Sequence, residues 1–346
     1  MVISESSYYT SVTNMCNELI LKSENKGRSF MSLIEKVNEA KRTIGHVIVG
    51  QDEVVELLFV ALLGRGHVIL ESVPGSGKTK LAKSFARVIA GDFSRIQFTP
   101  DVLPSDVTGI QFLNPKTEEF ELRVGPVKTN ILLADEINRA TPRTQSSLLE
   151  VMEEQQTTID GITVDVPPPF LVMATQNPVE TNHGTFPLPE AQLDRFLMKI
   201  SLGYPSLEQE KAILIRNRVN DPIDDLYPVL STEEIVQLQQ DVMAVKLSGV
   251  VMDYLLGIVR QTREHSDIEL GVSSRAALAL MRAAQARAFL HERMYITPQD
   301  VKVLASYVLE HRIVLSMEGS IRKTRHDVMK EILSAVDVPV ELGTDS

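Results

Sequence analysis

Basic charge is in short supply in this sequence. Against 46 aspartates and glutamates stand only 35 lysines and arginines, a net charge of −11, so no global positive field holds the chain on nucleic acid or anionic lipid. Cysteine is nearly missing: Cys16 is the only one, which excludes an internal disulfide or a cysteine-ligated zinc and fits a reducing compartment. The seven histidines include no His-x-x-x-His pair and no His-Glu-x-x-His, so a built-in transition-metal site has no support. No apolar run reaches the ~18 residues of a membrane span, and Met1 to Thr10 is polar and acidic rather than a signal peptide. The expectation is a soluble cytoplasmic protein without a transmembrane segment.

What is present is ordinary for a globular protein: 43% hydrophobic and 23% charged residues over 346 positions, enough for two domains at ~150 residues each. Residues 1–30 are Ser/Asn/Thr-rich and are expected to form a partly flexible N-terminal extension. Over 31–203, short β-branched runs alternate with amphipathic segments, the α/β pattern of a parallel sheet covered by helices. The expected strands are His67–Leu70, Arg95–Phe98, Asn130–Ala134, Phe170–Ala174 and Leu197–Ser201. After Gly203, Tyr204 and Pro205 no strand is expected, and 204–346 reads as an all-α domain. Ser206 with Gln209 and Ser231 with Glu234 form capping boxes, and Thr297-Pro298 is an N-cap followed by proline at the first helical position.

The chemistry starts where the strand His67–Leu70 runs into Pro74, Gly75, Ser76, Gly77, Lys78, Thr79 and Lys80, followed by helical spacing. A triphosphate needs many amides converging without side chains in the way, which two glycines at a helix N-terminus provide. Lys78 supplies a cation for the β- and γ-oxygens and Thr79 a hydroxyl ligand for Mg²⁺. The pattern's first glycine is here Ser72. Downstream, an apolar strand ends in Asp135-Glu136 at the sheet edge where α/β folds bind ligands. Asp135 is placed to hold Mg²⁺ and Glu136 to polarise the attacking water. Asn177, one strand over, is placed to position that water. Arg195 and Arg275 are candidates to stabilise charge on the transferring phosphoryl group.

Taken together these segments resemble the MoxR group of AAA+ ATPases. The resemblance rests on Ile48-Val-Gly-Gln51, Ile96 to Asp101 with Leu103 to Gly109, Leu132 to Ala140, Ala174 to Pro178, Gly184 to Phe196 and Tyr295 to Val301, in family order over about residues 45–312. It implies a P-loop NTPase αβα core with a parallel sheet over 31–203, carrying two β-hairpin insertions, and a helical lid over 204–346. It also implies a ring, typically hexameric, with ATP and Mg²⁺ at subunit interfaces. Lys78 and Thr79 then match Walker A, Asp135 and Glu136 Walker B, Asn177 sensor 1, Arg275 sensor 2, and Arg195 the finger that enters the neighbouring subunit. Ile48, Val49 and Gly50 match the segment beside the adenine. The family implies a chaperone-like remodeller acting on a protein client, often with a von Willebrand factor A domain partner. Ser274 stands where the family usually has proline, and His291-Glu292 where it usually has glycine.

Other readings compete. A nucleic-acid motor needs basic hairpins, yet no lysine or arginine lies between Arg143 and Arg195, which spans the second hairpin, about Thr157–Val166. A nucleotide-gated interaction scaffold with little hydrolysis would not need Glu136. A metal-chelatase subunit shares the architecture and differs only in the family segments.

Overall fold

The computed structural model describes residues 32–72, 75–176, 185–218 and 221–339. The extension over 1–30, Pro74 and Asn177 lie outside the described residues. Helix α1 spans 32–47, followed by α2 (Asp52–Leu63), β1 (Val68–Ser72), α3 (Lys78–Val88) and β2 (Phe93–Gln97). Next come α4 (Pro104–Thr108), a hairpin of β3 (Gly109–Asn114) and β4 (Glu119–Val124), then β5 (Ile131–Asp135) and α5 (Pro142–Glu154). A second hairpin, β6 (Gln156–Ile159) with β7 (Ile162–Asp165), precedes β8 (Leu171–Gln176), the short α6 (Glu190–Leu193) and β9 (Met198–Leu202).

Five of these strands pair in parallel in the order β2-β5-β8-β1-β9. In β5, Ile131 and Leu133 join one apolar cluster while Leu132 and Ala134 join the other, the period of two that a pleated strand imposes. Both faces are covered, so all of β5 is buried, as crossover helices require. Every expected strand forms, with ends displaced by no more than two residues. The parallel register carries all five C-terminal ends to one edge, and this is what gathers the loops after β1, β5 and β8.

The C-terminal region holds α7 (Leu207–Arg216), α8 (Thr232–Val242), α9 (Gly249–Glu264), β10 (Ile268–Leu270), α10 (Ser274–Leu290), α11 (Pro298–Leu309), β11 (Val314–Leu315), α12 (Met317–Arg322) and α13 (Arg325–Ala335). The capping boxes at Ser206, Ser231 and Thr297 are all made. One expectation is corrected: strands do not stop at 203, because β10 and β11 form an antiparallel ribbon. At three and two residues, neither shows an alternation that sequence can reveal. Helix α2 is apolar nearly all round, with eight buried residues, and packs between β9 and the helices α8 and α10. The helical region therefore shares one continuous apolar cluster with a face of the sheet. Among the described residues, no helix is long and apolar enough to cross a membrane.

At the opposite, N-terminal edge of the sheet, His67 joins three elements. Its Nδ1 accepts from the Val172 amide at 3.0 Å and its Nε2 lies 3.1 Å from the Met152 carbonyl. A ring that accepts at Nδ1 and donates from Nε2 is neutral. Burial accordingly lowers its pKa from 6.5 to about 4, and burial depresses His311 in the same sense. The unfolded chain then binds protons that the folded one refuses, so stability is full above pH ~6.5 and falls as pH drops toward ~4, by roughly 3 kcal/mol for His67. Melting temperatures measured from pH 7.5 to 4.5 are expected to decline across that window. A flat profile would show that neither imidazole is held neutral.

Candidate active site

The loop between β1 and α3 is shaped by glycine. Gly75 (φ 81°) and Gly77 (φ 83°) both take the left-handed conformation, and a Cβ built on either would meet nothing within 4 Å. Backbone conformation rather than crowding demands glycine here, and the result is an uncovered concavity at the N-terminus of α3 where amides can face an anion. Within it the Ser76 hydroxyl is buried without a partner among the described residues, which marks a site shaped for a further polar group. Ser72, where a glycine was expected, ends β1 with its side chain turned inward and 2% exposed. The substitution therefore leaves the concavity open. Lys78 and Thr79 open α3, but the Lys80 side chain leaves the site: its Nζ is 2.7 Å from Asn217 Oδ1 and 2.8 Å from Asp221 Oδ1.

Beside Gly75 and Ser76 lies a cavity of about 330 Å³ walled by Tyr204, Pro205, Ile213 and Leu214. These residues were missed from sequence. The available signal was α7 itself, which buries no residue although it carries Leu207, Leu214 and Ile215, an apolar surface with no core to enter. Ile48, Val49 and Gly50 do not line this cavity. Ile48 is buried in the core, and the Gln209 side chain occupies the space next to Gly50 (φ 72°), 2.0 Å from where a Cβ would stand. Arg216 donates to the carbonyls of Gly45 and His46 at 3.0 and 2.7 Å. The segment thus braces α7, which in turn walls the cavity.

One strand over from β1's neighbour, Asp135 is buried at the end of β5. Its Oδ2 pairs with Arg95 Nη2 at 2.6 Å and its Oδ1 accepts from the Thr175 hydroxyl at 2.6 Å. The same hydroxyl accepts from the Glu136 amide at 2.9 Å. Glu136 sits at φ 58°, a strained conformation for a non-glycine residue that the surroundings must hold in place. Its Oε2 lies 3.0 Å from Arg139 Nε. Thr175 and Arg95 were not singled out from sequence, although the register that pairs Ala134 with Ala174 puts Thr175 beside Asp135. An oxygen-rich donor set of Asp135 with Thr79 suits Mg²⁺, a hard cation that favours few carboxylates plus phosphate and water.

The arginines are elsewhere. Arg195 Nη2 is 3.2 Å from Glu153 Oε2, and Arg275 Nη2 is 2.6 Å from Glu153 Oε1. Glu153 lies on the last turn of α5, next to Met152, whose carbonyl meets His67 ahead of β1. Arg195 itself precedes β9, and the Leu197 amide donates to the His67 carbonyl. Both arginines therefore stand at the N-terminal edge of the sheet, whereas the phosphate loop leaves the C-terminal one. The five residues of β1 separate these edges by about 16 Å. Within one chain, then, neither Arg195 nor Arg275 stands beside Lys78, because parallel strands put them at the far end of the sheet. They line instead a cavity of about 700 Å³ where Arg65, Arg282 and Arg312 also converge, against the acids Glu153 and Asp194.

Residues 67–198 match the family model described as ATPase family associated with various cellular activities (AAA), and residues 260–332 match the AAA lid domain. The chain is 49% identical to the uncharacterized protein YeaC of Bacillus subtilis, over 88% of this chain and 95% of that one. It is 43% identical to the chaperone MoxR1 of Mycobacterium tuberculosis, over 89% of this chain and 82% of the other. A crystal structure of a Cytophaga hutchinsonii protein, 36% identical, superposes with a TM-score of 0.86 over 92% of this chain and 100% of that one.

Proposed function

This chain belongs to the MoxR family of AAA+ ATPases, and from that premise we propose that it hydrolyses Mg-ATP at the interfaces of a homo-oligomeric ring and remodels a protein client. The observation that carries this reading is the split site. The phosphate loop and the Asp135-Glu136 pair occupy one edge of the sheet and the two arginines the other, with the length of β1 between the edges. A second copy stacked edge to edge brings the missing half to each site, which is why a ring, typically hexameric, suits the layout.

Within that reading the concavity over Gly75 and Gly77 receives the phosphates, Lys78 neutralises their outer oxygens and the apolar wall of Tyr204, Ile213 and Leu214 receives the base. Thr79 and Asp135 would hold Mg²⁺, which would supply positive charge to offset that of the transferring phosphoryl group. Thr175 keeps Asp135 and the Glu136 backbone in register. Glu136 orients and polarises water, with Asn177 as its partner by family position. Residues 31–203 act as the ATPase core and 204–346 as the lid, and the lid's motion relative to the core does the work on the client. A protein with a von Willebrand factor A domain is the partner class that the family suggests.

The test is steady-state ATP hydrolysis against protein concentration at saturating Mg-ATP, read beside sedimentation. Specific activity is expected to rise steeply with concentration, in step with assembly. Specific activity that stays constant down to concentrations where only monomer sediments would mean that each chain holds a complete site, and would overturn the interface reading.

A further inference from the structure

Arg312 is the most deeply buried arginine beside the finger segment: its side chain is 3% exposed, and burial lowers its pKa to about 10. Taking a guanidinium out of water costs several kcal/mol unless it is paired, and here the residues flanking Arg195 pair with it. Nε lies 2.9 Å from Asp194 Oδ1, an ion pair made without hydrogen-bond alignment. Nη2 donates to the carbonyls of Phe196 at 2.6 Å and Asp194 at 3.2 Å. Nη1 donates to the Val308 carbonyl at 2.9 Å, anchoring the group to its own helix end. His311 adds a second contact to Phe196, its Nε2 being 3.2 Å from the same carbonyl. A planar fork with five donors can hold the residues on both sides of Arg195 at once, which a lysine ammonium cannot do.

The other oxygen of Asp194 leads to the second arginine. Asp194 Oδ2 accepts from the Ser273 hydroxyl at 3.1 Å, and Ser273 is the N-cap of α10, with Arg275 the second residue of that helix. One carboxylate thus joins the buried guanidinium that holds Arg195 to the turn that launches Arg275. Both arginines then meet again on Glu153. From this network we infer that Arg312 is a positioning residue: through Asp194 and Ser273 it locks Arg195, at the edge of the core sheet, and Arg275, on α10, into one unit, so that both charges are presented together. The inference rests on the reading that these arginines serve a neighbouring subunit's ATP.

Mixed rings of the full-length chain test it, with ATP as substrate. Arg312→Gln alone is expected to lower kcat by about 10- to 100-fold, the scale of a small misplacement of a charged group, while ATP affinity measured by equilibrium titration stays within about twofold. Mixed with Lys78→Ala subunits, which lack their own nucleotide site but bring intact arginines, Arg312→Gln subunits should regain turnover. A merely structural role within the subunit's own ATP site would not be rescued this way. The control mixture is Arg195→Ala with Lys78→Ala. If that pair fails to complement in rings of demonstrated composition, the reading of arginines acting between subunits falls. If it complements and Arg312→Gln does not, or if Arg312→Gln alone keeps full turnover, the positioning role falls. Should Arg312→Gln lack a cooperative melt, Asp194→Asn and Ser273→Ala interrupt the same network from its outer side, and the same pattern of loss and rescue is expected of them.

Discussion

Replacing Glu136 by glutamine is expected to reduce ATP turnover by about 10²- to 10⁴-fold, the contribution of a positioned general base, while leaving ATP binding intact. The two effects separate because they reside in different elements. In the proposed function binding falls to the loop of Gly75 and Gly77 and to the first turn of α3, whereas the Glu136 side chain pairs with Arg139. Turnover would then fall to a carboxylate that leaves β5 at φ 58°, with its amide held by Thr175. Glutamine keeps the volume and can still accept from Arg139, so the strained turn should persist; what it lacks is basicity. Phosphate release under saturating ATP, beside a titration with a fluorescent nucleotide, checks both halves. Unchanged turnover in a folded Glu136→Gln protein would move water activation to another group.

Replacing Arg195 by alanine should cost still more. A guanidinium supplied to a transferring phosphoryl group contributes about 10³- to 10⁵-fold, and Arg275, which shares the Glu153 carboxylate, stands on a different element. The variant should bind ATP normally, since the residue lies at the opposite edge of the sheet from its own phosphate loop. Mixed with Lys78→Ala subunits, which are inactive for the opposite reason, it should recover hydrolysis. Activity of the pure Arg195→Ala protein within about tenfold of the parent would be too small a loss for a transition-state charge partner.

Glu153 frames how that charge is kept ready. Two guanidiniums side by side repel, and a carboxylate taking one oxygen to each offsets the repulsion, so Arg195 and Arg275 can be held together before any phosphate arrives. In a chain of net charge −11, a cavity where arginines outnumber acids is a local reversal of sign. Such a reversal is invisible in the composition. The arginines come from residues 65, 195, 275, 282 and 312, and only the packing of α2, α10 and the turn after α11 around the sheet edge brings them into one place.

Much of the ATPase core could be read directly. Strand positions followed from continuous apolar runs, helix starts from Ser206, Ser231 and Thr297, and the phosphate loop from glycines beside Lys78 and Thr79, because each of these is a local property of a few consecutive residues. The ribbon of β10 and β11 escaped for the same reason in reverse, being too short to carry a pattern. Residues that act by contact across the fold also escaped. Thr175 matters because parallel register places it beside Asp135, Arg95 because it reaches that carboxylate from the neighbouring strand, and Tyr204, Ile213 and Leu214 because the segment after β9 and α7 bring them to the phosphate loop.

The sequence by itself determined the class of chemistry: which residues can cradle a triphosphate, which carboxylates stand at a strand end, and to which family the motifs belong. The tertiary structure alone decided which edge of the sheet each group occupies. A parallel sheet sends every strand in one direction, so a loop after β1 and an arginine before β9 must lie at opposite edges, however close the motifs that hold them appear on the chain. Sequence spacing carries the identity of the groups and nothing of that direction.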